Sequence, residues 1–169
     1  EVLNSAESRI FSIAQQSEQR HAEQLDELWN EAIRRLEEND GRIITGISTG
    51  YPNLDEITSG LQPGEMIIVA ARPSMGKTAL ALNIAENMTM RDVPVALFSL
   101  EMSRQQLVQR LVSSRASVSG HNIRRNMLSD RDMSAIIQAA DDLMKRPLFI
   151  DDTPSLSITQ LRAKARRLK

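Results

Sequence analysis

The segment from Met66 to Thr78, MIIVAARPSMGKT, constrains the fold of this chain more than any other. Met66 to Ala71 is an almost wholly apolar run with three consecutive β-branched residues, which is typical of a strand buried on both faces of a parallel sheet. Proline and glycine end this run between Arg72 and Gly76. The residues from Lys77 onward repeat apolar side chains every four positions, which predicts a helix.

This order of strand, loop and helix favours a phosphate-binding loop. The N–H groups of Ser74, Met75 and Gly76, together with the N-terminus of the helix, are expected to form an anion site of backbone donors. Gly76 lacks a Cβ that would collide with a phosphate. Lys77 would place a positive charge on the outer phosphates, and the Thr78 hydroxyl would bind Mg²⁺. The sequence therefore predicts a nucleotide site rather than a turn that contains Gly-Lys-Thr by chance.

Composition restricts the other kinds of site that the chain could carry. Its 169 residues are enough for one domain with a core and an appendage. The absence of cysteine excludes disulfides and thiolate metal sites, and His21 and His121 are too far apart in sequence to suggest zinc. No apolar run approaches the ~20 residues of a membrane span, and no signal segment opens the chain. These features predict a soluble cytoplasmic protein.

Charge is distributed unevenly along the chain, although its total is only −1. Residues 1–40 hold ten acids and four bases, whereas residues 162–169 hold five bases and no acid. A uniformly basic nucleic-acid binder is excluded, but a local basic surface near the C-terminal end is not.

Two helices are predicted before the nucleotide segment. Residues 3–16 form an amphipathic pattern, and residues 25–36 form a second, strongly periodic one, for which ordinary core packing is the preferred interpretation. Residues 42–65 are rich in glycine and proline and predict turns, with a short helix near Asn53–Thr58 and a type II turn at Pro63-Gly64.

Glu101 is the main candidate for a catalytic side chain. It follows the apolar run Val93 to Leu100, a second predicted strand, and ligands bind at the carboxyl ends of strands in sheets of this kind. The alternative is a charge at a helix entry, because Ser103 and Gln106 make a capping box just beyond it. The position at a strand end favours chemistry.

The rest of the chain continues the alternation of helices and strands. The next predicted helix is expected to end at Gly120. Three arginines lie around it, namely Arg104, Arg110 and Arg115, and one of them could reach phosphate or nucleic acid. Ser129 is predicted to cap another helix. A third strand, residues 147–152, ends in Asp151 and Asp152, which resembles a strand-plus-aspartate Mg²⁺ element. A last helix begins after a capping box and reaches Lys169 without a terminator, so the domain is expected to continue.

Three segments together identify a family resemblance. Residues 45–65, TGISTGYPNLDEITSGLQPGE, are followed by VAARPSMGKT at residues 69–78 and FSLEMS at residues 98–103. This combination resembles the replicative DNA helicases of the DnaB family, and the resemblance covers essentially the whole chain. Residues 1–41 resemble the family's helical linker segment, and residues 42–169 the first half of its RecA-like motor. The general loop pattern has glycine where this chain has Ala71, and the family's own loop also has alanine.

The resemblance implies a RecA-like α/β fold, with a parallel sheet flanked by helices, in a hexameric motor that uses ATP and Mg²⁺ to translocate on single-stranded DNA. It implies that Lys77 and Thr78 serve the phosphates and the metal, and that Glu101 polarises the attacking water. The helix at about residues 3–16 would dock on a neighbouring subunit. Primase and a helicase loader are further partners in the family, and no membrane is involved.

The resemblance also changes one interpretation. The family's metal-binding aspartate lies on the strand after the one that matches residues 148–151, so Asp151 and Asp152 become structural groups at a strand end. The resemblance also implies that a fragment of this length alone is inactive.

Two alternatives stay open at the level of sequence. One is a RecA-like recombination or repair ATPase, which would lack a linker helix acting on a neighbour. The other is a non-catalytic module that only assembles with other subunits.

Overall fold

The computed structural model describes residues 44–168 and five earlier residues: Leu25, Trp29, Asn30, Ile33 and Arg34. The chain divides into two units, Glu1–Arg42 and Ile43–Lys169. The five described residues of the first unit are helical, as the periodicity predicted. The side chains of Leu25 and Trp29 are 80% and 61% exposed, so the prediction of core packing is wrong for these two. The predicted helix at residues 3–16 lies outside the described residues.

The described part of the second unit alternates helices and strands in an α/β arrangement. In chain order these elements are α1 (Pro52–Thr58), α2 (Lys77–Thr89), β1 (Val95–Phe98), α3 (Arg104–Ala116), α4 (Gly120–Arg124), α5 (Asp130–Met144), β2 (Leu148–Asp151) and α6 (Ile158–Arg167).

The two strands lie side by side and run parallel, with Val95 opposite Leu148 and Phe98 opposite Asp151. Ser99 extends the ladder by one step, because its N–H donates to the Asp151 carbonyl at 2.9 Å. A parallel pair needs a long crossover connection, and here it contains α3, α4 and α5. The pairing brings the carboxyl ends of both strands to the same edge of the sheet.

The predicted strand from Met66 to Ala71 is not found in the structure. These residues have no regular secondary structure, and the side chains of Met66, Ile67 and Ile68 are 84%, 53% and 77% exposed. A strand requires a hydrogen-bonded neighbour, and the two described strands pair with each other rather than with this run. The prediction of a strand buried on both faces is therefore wrong within the described chain.

The core joins α2 and α3 to the sheet. Leu82 of α2 and Leu107 and Leu111 of α3 are each at most 3% exposed. They pack with partly buried residues of both strands, of α5 and of the loop after β1: Leu97, Met102, Leu143, Leu148 and Ile150. Arg115 adds a polar link between helices, since it pairs with Glu86 of α2 at 3.6 Å and with Asp142 of α5 at 3.4 Å. Burial raises the pKa of Glu86, and Arg115 opposes this rise.

A buried carboxylate organises the turn-rich segment before α2. Asp55 of α1 is 2% exposed and accepts hydrogen bonds from the Ser48 hydroxyl at 2.5 Å, the Thr49 N–H at 2.8 Å and the Thr49 hydroxyl at 2.7 Å. The Thr49 carbonyl in turn accepts from the Asn87 side chain at 3.0 Å. Asp55 thereby fixes a loop that is attached to α2.

Helix starts follow the predicted signals closely. Ser103 and Gln106 form a reciprocal capping box at α3, and Ser157 and Gln160 form one at α6. The expectation for Gly120 is wrong: α3 ends at Ala116 with Ser117 in the left-handed conformation, and Gly120 opens α4.

Candidate phosphate-binding site

The loop before α2 has the backbone conformation of an anion site. Gly76 stands at the N-cap of α2 with φ 88°, and Ser74 also has a positive φ of 65°. Apart from Gly76 and its two chain neighbours, no atom of the described residues lies within 4 Å of the place that a Cβ would occupy, so the conformation of Gly76, rather than crowding within the protein, requires glycine there. No side chain caps α2, and the first N–H groups of a helix have no partner within it. These donors are therefore available to an anion.

A cavity of about 510 Å³ opens over this loop. The loop and the start of α2 contribute one wall, and the segment after β1 together with α3 contributes the other. The lining residues that carry formal charge are three bases and one acid, namely Arg72, Lys77, Arg110 and Glu101. The excess of positive charge, together with the N-terminus of α2, suits a polyanionic ligand such as a nucleotide phosphate chain.

The structure brings most of the predicted site residues together. Ser74, Gly76, Lys77 and Thr78 line the cavity. Met75 does not line it: its side chain is 71% exposed and its N–H donates to the Arg72 carbonyl at 3.2 Å. The methionine N–H therefore closes the turn that shapes the loop.

Glu101 lies across the cavity from the loop, in the segment that leaves β1. It also lines an adjoining cavity of about 360 Å³ with Lys77 and Thr78. Its loop is folded back by Ser99, whose hydroxyl donates to the Met102 carbonyl at 2.7 Å and accepts from the Met102 N–H at 3.1 Å. The strand-end position thus places a carboxylate beside the phosphate loop, as the sequence predicted.

The two aspartates at the carboxyl end of β2 contact other parts of the chain. Asp151 accepts hydrogen bonds from Lys164 of α6 and from both the N–H and the hydroxyl of Thr153. Lys164 and then Thr153 hold the pKa of Asp151 well below its usual range. Asp152 contacts Arg104 at the start of α3. Neither aspartate lines the phosphate cavity, in agreement with their interpretation as strand-end structure.

Arg72 and Arg110 are the cationic cavity residues that the phosphate-loop motif did not identify. Arg72 is one of the variable positions of the loop pattern, and Arg110 comes from α3, which is far from the motif in sequence. The sequence suggested only that one arginine of this helix could reach phosphate. The buried positions of Leu107 and Leu111 orient α3 on the core and leave Arg110 at the cavity wall.

Comparison with known proteins identifies the family of this arrangement. Residues 46–169 match the family described as DnaB-like helicase C terminal domain. The chain belongs to this family. It is 44% identical over 171 residues to the replicative DNA helicase DnaB of Nostoc sp. strain PCC 7120, a match that covers 99% of the chain and 19% of that protein. It is 41% identical over 172 residues to the replicative DNA helicase DnaB of Geobacillus stearothermophilus, a match that covers 99% of the chain and 38% of that protein.

Solved structures agree with the DnaB-like assignment. A solved ATPase domain superposes with a TM-score of 0.80 at 33% identity, covering 88% of the chain and 52% of that structure. A DnaB-like replicative helicase, solved in a study of its interactions with primase, superposes with a TM-score of 0.82 at 31% identity and covers the whole chain and 39% of that structure. The RecA-like fold is therefore confirmed. The chain spans about two fifths of the length of the Geobacillus relative.

Proposed function

We propose that this chain is the nucleotide-binding part of an ATP-driven replicative DNA helicase. The observation that carries the proposal is that the loop of residues 71–78, apart from Met75, lines one cavity with Glu101 in a chain of the DnaB-like family. A phosphate loop alone fits many nucleotide-binding proteins. A carboxylate on the opposite wall adds a group that can act on water.

Binding of ATP would be carried by backbone and cationic donors. The N–H groups at the start of α2 would hold phosphate oxygens, and Lys77 would place its ammonium on the outer phosphates. Arg72 and Arg110 line the same cavity and would add positive charge around the phosphate chain. Guanidinium groups suit this position because their planar donors match phosphate oxygens.

The Thr78 hydroxyl is the proposed protein ligand of Mg²⁺. Among the residues that the structure describes, no group of three or more acidic, histidine or cysteine side chains could hold a metal by itself. This donor set fits Mg²⁺ bound with nucleotide, because that ion commonly keeps several waters and takes its other ligands from phosphates. When bound, Mg²⁺ would neutralise charge on the phosphate oxygens.

Glu101 is the proposed general base. Its carboxylate would accept the proton of a water that attacks the terminal phosphate, and Lys77 would stabilise the charge that develops there. Because Glu101 and Lys77 belong to opposite walls of the cavity, binding and proton acceptance can be separated by mutation.

Two substitutions in a full-length helicase that carries this chain test the proposal. Lys77→Ala removes the ammonium from the start of α2 and should abolish ATP binding in an equilibrium titration. Glu101→Gln keeps the shape of the side chain but not the proton acceptor, so hydrolysis should fall by ~10²–10⁴ with ATP affinity nearly unchanged. Unchanged binding in the first variant would contradict the phosphate loop, and unchanged turnover in the second would contradict the base.

The proposed partners are other copies of this protein and single-stranded DNA. Residues 3–16 carry an apolar stripe that includes Leu3, Ile10 and Ile13, and we propose that this stripe docks on a neighbouring subunit of a hexameric ring. One solved relative was studied for its interactions with primase, and we propose primase and a helicase loader as further partners. The proposed site of action is the replication fork, in the bacterial cytoplasm. No helix among the described residues is long and apolar enough to cross a membrane.

A further inference from the structure

The segment between β1 and α3 carries Glu101 and is held by hydrogen bonds at both of its ends. On the strand side, Ser99 makes two hydrogen bonds to Met102, through its hydroxyl, at 2.7 and 3.1 Å. On the helix side, the contact comes from Asp152, a residue distant in sequence that follows β2. One Asp152 oxygen accepts from the Arg104 N–H at 2.9 Å, and the other lies 3.2 Å from the Arg104 Nε. Glu101 lies between these two attachments.

The contact to the backbone matters more than the ion pair. The Arg104 side chain is 66% exposed, and an ion pair with an exposed partner contributes little to stability. The Arg104 N–H, in contrast, is the first N–H of α3, one of the donors that the helix itself cannot satisfy. A carboxylate at this place also interacts favourably with the helix N-terminus. Asp152 thus fixes where α3 begins relative to the sheet.

The position of α3 determines the position of Glu101. Only Met102 and Ser103 separate Glu101 from the first residue of α3, and Ser103 is already held in a capping box with Gln106. Because β1 and β2 pair in register up to Phe98 and Asp151, Asp152 is carried by the strand next to the one that leads to Glu101. A shift of the helix start would therefore move Glu101 relative to the phosphate loop.

We infer that Asp152 is a positioning residue for Glu101: its carboxylate anchors the start of α3 to the sheet and holds the base over the phosphate cavity. This inference rests on the proposed function, since it assigns Asp152 to the hydrolysis that Glu101 is proposed to promote. Asp152 does not line the cavity, so its effect must pass through the backbone of residues 101–104.

The first test compares three variants in a full-length helicase that carries this chain. Asp152→Ala removes the acceptor, and kcat for ATP hydrolysis should fall by about 10–10²-fold, the range that small displacements of catalytic groups produce, while ATP affinity stays within about twofold. Asp152→Asn keeps an amide oxygen for the Arg104 N–H and should retain most of kcat. Asp92→Ala removes another aspartate–arginine pair, with Arg146, at the opposite end of the same strands and should leave kcat unchanged.

The second test combines Asp152→Ala with Glu101→Gln. If Asp152 acts through Glu101, the substitution should not slow hydrolysis further once the base is absent, whereas a general loss of structure would slow both backgrounds equally. The inference would be overturned if Asp152→Ala slowed hydrolysis equally in both backgrounds. It would also be overturned if Asp152→Ala left kcat unchanged, or if Asp152→Asn were as slow as Asp152→Ala. Normal hydrolysis in Glu101→Gln alone would instead contradict the proposed function, so the two failures are distinguishable.

Discussion

Asp55 provides the sharpest test of how the segment before the phosphate loop is held in place. Its carboxylate is 2% exposed and accepts three hydrogen bonds from Ser48 and Thr49, and Thr49 is itself fully buried. Asp55→Ala would leave the Thr49 N–H and hydroxyl without their acceptor. A buried donor without an acceptor costs about 1–3 kcal/mol, so the two donors together should lower the free energy of unfolding by about 3–4 kcal/mol. This is a large part of the ~5–15 kcal/mol of a typical domain.

Asp55→Asn should be milder, because its amide oxygen can still accept from Thr49. A neutral amide oxygen accepts more weakly than the carboxylate, but the variant no longer buries a charge. Because these two effects oppose each other, we expect the free energy of unfolding to fall by about 1–2 kcal/mol. Urea unfolding followed by circular dichroism measures both values. Asp92→Asn is the control, since Asp92 is 79% exposed in a surface ion pair and should change stability by at most ~1 kcal/mol.

The pH dependence gives an independent check on Asp55. Burial raises the pKa of this carboxyl, but the hydrogen bonds from Ser48, Thr49 and Gly50 outweigh burial and leave the pKa below the ordinary value of 3.8. A carboxyl with a lower pKa in the folded state stabilises the protein above its unfolded-state pKa, and this contribution is lost as the pH falls through the folded-state pKa. Wild type should therefore lose stability below about pH 4 more steeply than Asp55→Asn. An alanine variant within 1 kcal/mol of wild type, or parallel pH profiles for wild type and Asp55→Asn, would refute the reasoning.

Two further predictions concern the proposed nucleotide site and the proposed ring. Arg110→Ala removes one cation from the phosphate cavity and should weaken ATP binding about tenfold, the lower end of the range for charged hydrogen bonds, whereas Arg91→Ala, beyond the far end of α2, should not; equal affinities in a titration would exclude a role for Arg110. Ile10→Asp should lower the oligomeric mass measured by light scattering without changing the circular dichroism of the subunit, because a charge in an apolar interface is unfavourable; an unchanged ring would mean that residues 3–16 do not form the subunit contact.

Local signals allowed most helices to be predicted, and dependence on a distant partner explains the error at the predicted strand from Met66 to Ala71. The starts of α3 and α6 were predictable because a capping box is complete within four residues. The start of α2 was predictable because apolar side chains recur every four positions after Lys77, at Leu80, Ile84 and Met88. The run from Met66 to Ala71 has the composition of a strand, but a strand depends on a neighbour that composition does not reveal.

The same distinction applies to the site. The phosphate loop is contiguous in sequence, so Ser74, Gly76, Lys77 and Thr78 could be named in advance. Glu101 could be placed only by the rule that ligands bind at strand ends. Arg110 could not be singled out, because its place at the cavity wall depends on how Leu107 and Leu111 seat α3 on the core.

The two walls of the cavity share the core of Leu82, Leu107 and Leu111, but each wall also has its own supporting hydrogen bonds. The phosphate loop leads into α2, which is tied to the Asp55 segment through Asn87 and the Thr49 carbonyl. Glu101 lies in the segment that follows β1. Hydrogen bonds of Ser99 and Asp152 hold this segment, and neither residue hydrogen-bonds to α2. A perturbation of the first support should therefore weaken nucleotide binding and stability together. A perturbation of the second should slow hydrolysis while binding persists, because it would displace the proposed base and not the phosphate loop.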